Sequence, residues 1–165
     1  MADASEVVRR YFDAVGRHDL DAAMACWAPG SIDHLAPVGE LRVPDELRAY
    51  FVDLFAAMPD FQYEVLDMFE QGGKVAAHWH ARGTFTGRRY QGIEPNGAEI
   101  EALGADLVQV EDGLIRRLDS YWDESALARQ IGVLPAKRSP QERVLFGLFN
   151  AKTRLKSLVG RRRRS

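Results

Sequence analysis

The sequence predicts one α+β domain whose helices cover one face of an antiparallel sheet. Three observations carry this reading. Apolar residues recur at helical spacing between Val7 and Phe55, and alternate at strand spacing from Phe61 onward. The third is size: 165 residues, 46% hydrophobic and 28% charged, suit a single globular core.

Each element follows in order. Val7, Val8, Tyr11, Phe12 and Val15 form one stripe of a first helix that Gly16 stops. Asp19 is a favourable N-cap for a short second helix, Leu20 to Trp27, which Pro29-Gly30 ends. A short extended piece, Ser31 to Leu35, runs into the breaker Ala36-Pro37-Val38-Gly39. Pro44 suits the first turn of a third helix, rich in aromatics, that reaches Phe55. After Pro59, the residues Phe61, Tyr63, Val65, Asp67 and Phe69 alternate with Gln62, Glu64, Leu66, Met68 and Glu70, and Gly72-Gly73 reads as a hairpin turn. Further strands are expected over Lys74 to Thr86, Ala98 to Val110 and Leu114 to Tyr121, the last two joined by a tight turn at Asp112-Gly113.

Asp123 to Gly132 reads as another short helix and Pro135 to Pro140 as a linker. The chain is therefore expected to divide into a body over residues 1–134 and an extension over 135–165, made of linker, amphipathic helix and basic tail. In the extension Val144, Leu148, Ala151, Leu155 and Leu158 fall on one helical stripe.

Charge is distributed unevenly. The last fourteen residues hold seven bases (Lys152, Arg154, Lys156 and Arg161 to Arg164) and no acid, which leaves the rest with 15 bases against 24 acids. A body that acidic is a poor nucleic-acid surface. The tail stripe is expected to dock on the domain or on a partner subunit. Membrane contact is the less favoured alternative, because the stripe is short and has no Trp anchor. No run approaches the length of a membrane span, and the N-terminus lacks a basic start followed by an apolar run, so a cytoplasmic protein is expected. Cys26, the one cysteine, lies in an apolar run and reads as a buried inert thiol. His78-Trp79-His80 puts two imidazoles on one strand face, but two ligands do not make a metal site. No Gly-rich phosphate loop, Ser-centred elbow or Cys-His nucleophile pattern is present.

Several short motifs occur in a telling order. Asp33-His34 with Pro37 and Gly39 is followed by the aromatic helix, Met58-Pro59-Asp60, Val75-Ala76-Ala77-His78-Trp79 and Gly83-Thr84-Phe85-Thr86-Gly87. Then come Gly92-Ile93-Glu94-Pro95-Asn96-Gly97, Asp112-Gly113-Leu114-Ile115, Trp122-Asp123 and Gln130-Ile131-Gly132-Val133. The series resembles the SnoaL-like polyketide cyclases, or ester cyclases, of the nuclear-transport-factor-two-like superfamily. The resemblance implies a cone-shaped fold, with three helices over a curved antiparallel sheet that encloses a pocket, and an added C-terminal helix outside the pattern. It further implies a homodimer joined through the convex sheet face, which would carry His78, His80 and Arg82.

Strand alternation puts Ile115, Arg117, Asp119 and Tyr121 on one face, with Asp123 continuing it if the strand persists. In the cyclases the acid at the position of Asp123 is the general acid/base, so the resemblance makes Asp123 the leading catalytic candidate. The competing reading is a helix N-cap. Asp119 could hold a water or simply pair with Arg117 or Arg82. His34 matches a family histidine near the pocket mouth, and could polarise a carbonyl or be structural. Gln109 falls where the cyclases place a polar pocket residue, and could equally face solvent. Tyr11, Trp27, Phe51 and Phe55, with Trp79 and Tyr121, are the candidate substrate-binding rings or, alternatively, core. The implied activity is a cofactor-free, metal-free cyclase or isomerase acting on a hydrophobic, polyketide-like carbonyl compound. Epoxide opening and noncatalytic ligand binding are the alternatives.

Overall fold

The structure, a computed structural model, describes residues 3–162 along the backbone and 3–154 in their side chains. Its first helix, α1 (Ala4–Gly16), starts where the Asp3 carboxylate accepts the Ser5 N–H, and it buries Val7, Val8, Tyr11, Phe12 and Val15 as their spacing requires. Asp19 caps α2 (Leu20–Met24) through the Ala22 N–H. The chain then enters β1 (Trp27–Leu35), turns into β2 (Gly39–Arg42), and forms α3 (Asp45–Ala57).

Four long strands follow: β3 (Gln62–Gln71), β4 (Lys74–Thr84), β5 (Glu99–Glu111) and β6 (Leu114–Trp122). They form the expected antiparallel meander. Gly72-Gly73 and Asp112-Gly113 make its tight turns, with positive φ at all four residues, the geometry that suits the right-handed twist of the flanking strands. The full sheet is six-stranded in the order β2-β1-β6-β5-β4-β3, and β1 runs parallel to β6. The helices pack on one face of this curved, unclosed sheet, so the expected α+β class holds.

Three details depart from the sequence reading. The second helix ends at Met24, and Trp27 already belongs to β1. Pro29-Gly30 does not close a helix; it lies where the β1–β6 register shifts between Trp27 and Ile32, the kind of irregularity that Pro and Gly mark inside strands. The Gly39 segment, expected as a breaker, is the edge strand β2.

Two β-bulges matter more. The β3–β4 register shifts between Val65 and Asp67, and the β5–β6 register shifts so that Gln109 opposes Arg117 while Val110 opposes Ile115. Each bulge inserts one residue, Leu66 or Arg116, and a one-residue slip sends every later side chain to the other face. Asp67 and Phe69 therefore leave the face that Tyr63 and Val65 occupy. In β6 the inward row becomes Ile115, Leu118, Ser120 and Trp122, not the Ile115, Arg117, Asp119, Tyr121 row that strict alternation gives.

After β6, α4 (Glu124–Gln130) folds back over the sheet. The terminal helix α5 (Pro140–Arg162) is tied to α4 by Glu142, ion-paired with Arg129 at 3.0 Å. Beyond that point its stripe does not dock on this domain, since Val144 is 63% and Leu148 67% exposed. The expected continuation at Leu155 and Leu158 and the Arg161–Arg164 run lie outside the described side chains. Among the described residues no helix is long and apolar enough to cross a membrane.

Candidate active site

Between α1, α3, α4 and the concave sheet lies a cavity of about 570 Å³. Rings supply much of its wall: Tyr11 and Phe12 from α1, Tyr50 and Phe51 from α3, Tyr63 from β3 and Trp79 from β4. Three carboxylates interrupt this wall: Asp33 on β1 and Asp106 on β5, both buried, and the exposed Glu124 at the start of α4.

Asp106 occupies the inward row of β5 with Val108 and Val110, and only 3% of it is exposed. Its Oδ1 accepts the Trp79 indole N–H at 2.7 Å and the Ser120 hydroxyl at 2.5 Å. Its Oδ2 has only a long contact, 3.5 Å, from the Tyr63 hydroxyl. One oxygen is thus anchored and the other is available. Burial disfavours the charged form and pushes this carboxyl up to about 6; the hydrogen bonds from Ser120, Trp79 and Tyr63 hold it from rising further.

Gly104 makes the Trp79 position possible. The indole lies on the backbone of β5 where Trp79 pairs with Gly104, and a Cβ there would sit 2.1 Å from the ring.

Asp33 is 1% exposed, and no donor among the described residues reaches its Oδ1. Burial first, then the charges of Asp106 and Asp119, push it well above the usual carboxylate range. Burial likewise raises the phenols of Tyr11, Tyr50 and Tyr63, which stay protonated donors.

A family model described as SnoaL-like polyketide cyclase matches residues 5–131. The chain belongs to that family. The solved structures agree on the fold. The candidate hydroxylase AclR from Streptomyces galilaeus superposes with a TM-score of 0.72 at 20% identity, over 82% of this chain and 99% of its own. The candidate polyketide cyclase IdmH from Streptomyces antibioticus gives 0.69 at 22% identity, over 79% and 99%. A search of curated protein sequences returns no match for this chain.

The SnoaL-like domain distributes the expected site residues in an instructive way. Tyr11, Phe51 and Trp79 line the cavity. Trp27 is buried behind Tyr11, edge-on at 5.5 Å, and Phe55 stacks on His18 at 3.8 Å; both are packing residues outside the cavity lining. Asp123, the leading catalytic candidate of the sequence reading, is exposed and does not line the cavity. Its Oδ1 caps α4 by accepting the Ala126 N–H at 3.0 Å and the Ser125 hydroxyl at 2.6 Å, and these bonds lower its pKa. The capping alternative is therefore the one this SnoaL-like chain adopts.

The bulge at Arg116 accounts for the rest. Asp119 and Tyr121 point to the outer face, where Asp119 binds Arg117 at 2.7 Å and His34 at 3.1 Å, and Tyr121 is 47% exposed. Arg117 lowers the Asp119 pKa through its hydrogen bonds. Gln109, opposite Arg117 and Lys74, shares that face and does not line the cavity. His78 and His80 also face outward, and His80 pairs with Glu101 at 2.8 Å. Among the described residues no three His, Cys, Asp or Glu side chains are placed to hold a metal.

The two buried acids escaped the sequence reading, although a signal existed. Ala102, Gly104, Asp106, Val108 and Val110 form the small and apolar row of β5, and an acid inside such a row must be buried. Asp33 sits likewise between Ser31 and Leu35, both buried.

Proposed function

We propose that this SnoaL-like protein is a cyclase or isomerase of hydrophobic, polyketide-like carbonyl compounds, and that Asp106 rather than Asp123 is its general acid/base. The supporting observation is a carboxylate near pH 6 in pKa, anchored through one oxygen and open at the other, inside a ring-lined cavity. A base of that strength is mostly ionised at neutral pH and still basic enough to take a proton activated by a neighbouring carbonyl. Oδ2 takes the proton from carbon, the enol or enolate attacks a second carbonyl or is reprotonated elsewhere, and the proton returns to oxygen or carbon. The rings hold a flat apolar skeleton and exclude water.

Deuterium exchange into benzoylacetone, a 1,3-diketone of suitable size, tests this reading. The wild type should accelerate exchange at the carbon between the carbonyls, and Asp106→Asn should lose at least 100-fold of that acceleration, in line with the roughly 10²–10⁴ attributed to general acid–base groups. Asn keeps the shape and an acceptor for Trp79, so binding should persist. Equal exchange by the two proteins would end the proposal.

Epoxide opening is a second reading, favoured by the presence of two buried carboxyls and Tyr11 in one cavity. It would require Asp106 to draw a proton from water while a protonated group binds the oxirane oxygen. Styrene oxide turnover without diketone exchange would select it.

A further inference from the structure

We propose that Asp33 is a second catalytic residue of this cavity, a carboxylic acid that hydrogen-bonds the substrate carbonyl oxygen and gives it a proton as Asp106 takes one from the adjacent carbon. The inference rests on the reading of Asp106 as the base.

The geometry starts from the sheet. β1 and β5 flank β6, where Asp33 is opposite Leu118 and Asp106 is opposite Ser120, so the two acids stand on neighbouring rungs of one concave face. Two strand spacings across the sheet and two residues along it separate their backbones by about 12 Å. That leaves room for a carbonyl group and its neighbouring carbon between two contacts of hydrogen-bond length. Both acids line the cavity.

The polar environment of each acid assigns its role. Oδ1 of Asp33 is buried without a donor, whereas Asp106 collects donors from Trp79, Ser120 and Tyr63. An unpartnered polar atom that deeply buried is costly, and the carboxyl that carries it belongs to a residue of the cavity wall. The titratable groups that act on Asp33 from the inner side are Tyr11 from α1, Tyr50 from α3, Tyr63 from β3 and Asp106 from β5, with no cation among them, and Asp119 of β6 adds its charge from the outer face. Asp33 therefore keeps its proton and Asp106 releases its own, and burial and mutual repulsion act in that same direction.

The step balances. Oδ2 of Asp106 removes a proton from carbon, the C–H pair becomes the new C=C bond, and the carbonyl π pair moves to oxygen, which takes the Asp33 proton. Asp106 ends protonated, Asp33 ends as the carboxylate, and a neutral enol lies between them. The pair carries one negative charge before and after, so the cavity is never asked to hold two. The substrate class that fits is an enolisable ketone or 1,3-diketone presenting its oxygen to β1.

Benzophenone carrying carbon-13 at its carbonyl tests the hydrogen bond separately from turnover, because it has no enolisable hydrogen. Bound to the wild type, its carbonyl carbon should move downfield from its position in hydrocarbon solvent. The shift should survive in Asp106→Asn, vanish in Asp33→Leu, and persist in part in Asp33→Asn, whose amide can donate but cannot transfer a proton. Asp33→Leu and Asp33→Asn should each lose at least 100-fold of the benzoylacetone exchange rate. Circular dichroism checks that each variant folds, and the isosteric Asn variant serves if Leu does not.

A ketone that binds the wild type unshifted, fails to bind it, or stays shifted in Asp33→Leu would overturn the inference. So would full exchange activity in both Asp33 variants. An unshifted ketone with exchange lost in Asp106→Asn would leave the Asp106 reading standing alone. A shifted ketone with exchange intact in that variant would sink the Asp106 reading and keep the Asp33 contact.

Discussion

Trp79 donates its indole N–H to Asp106 Oδ1 across 2.7 Å, reaching diagonally along β5 from its own partner, Gly104. The bond favours the carboxylate over the acid, and it fixes which oxygen stays open to the cavity. Trp79→Phe removes the donor and keeps most of the ring. A hydrogen bond to a charged group contributes roughly 1.5–3 kcal/mol, about one to two pH units. The pH midpoint of diketone exchange should therefore move up from about 6 by at least about one unit. An unmoved midpoint would show that Asp106 does not govern the exchange.

Asp106 should also leave its mark on stability. Its pKa is about 6 in the folded protein against 3.8 for an ordinary Asp, so between those values the folded state holds more proton than the unfolded one. Stability should accordingly decline as pH rises through that window and stay lower above it. The difference corresponds to about 3 kcal/mol at most. Denaturant unfolding at pH 4 and pH 8 should find Asp106→Asn more stable than the wild type at the higher pH only. A wild type that gains on the variant as pH rises contradicts this.

At Asp123 the expected effect is mechanical. Asp123→Ala removes the N-cap of α4 and should cost about 1 kcal/mol, without altering the exchange rate by more than about twofold. A large loss of exchange at unchanged stability would return the catalytic role to Asp123.

Gly104→Ala should be far more damaging than its size suggests. The added methyl group meets the Trp79 ring at 2.1 Å, so either the indole or β5 must shift. Overpacking of this kind costs about 1–3 kcal/mol, and displacing the indole should also raise the pH midpoint of exchange, as Trp79→Phe does. Stability loss without that second change would mean that the strand, not the ring, gives way.

The outer sheet face should join two copies of the chain. Phe69, Leu103, Leu107 and Tyr121 are 47–67% exposed there, and Phe69 and Leu107 both flank Ala76 across three adjacent strands. Such a patch is unusual on an isolated surface. Light scattering at micromolar concentration should give the dimer mass for the wild type and the monomer mass for Leu107→Glu. A monomeric wild type refutes the arrangement.

Much of the fold was legible because it rests on local rules. Asp19 caps a helix as such a residue does, and Gly72-Gly73 and Asp112-Gly113 make tight turns; the outward face of His78 and His80 came from the family resemblance and holds as well. The site was less legible because it depends on register. Alternation alone cannot show where one extra residue enters, and the bulge at Arg116 moved Asp119 and Tyr121 off the wall on which they were expected. Asp123 illustrates a different limit: its position in the motif matches the family, but a side chain at the end of a strand can turn to the helix that follows.

Arg116 also decides which of two walls the same β6 residues build. Its extra step sends Ser120 and Trp122 inward and Arg117 and Asp119 outward. A ladder that took Arg116 back into its alternation would keep every side chain of β6, yet exchange the two rows. An arginine and an aspartate would then face the rings, Asp106 would lose the hydroxyl that anchors it, and Trp122 would emerge on the far side. Losing the residue altogether has the opposite outcome: with Arg116 deleted, Arg117 follows Ile115 directly and Ser120 and Trp122 stay inward. In this strand a reading frame for side chains is superimposed on the one for amino acids, and it is set by whether one residue is counted in the ladder or stands outside it.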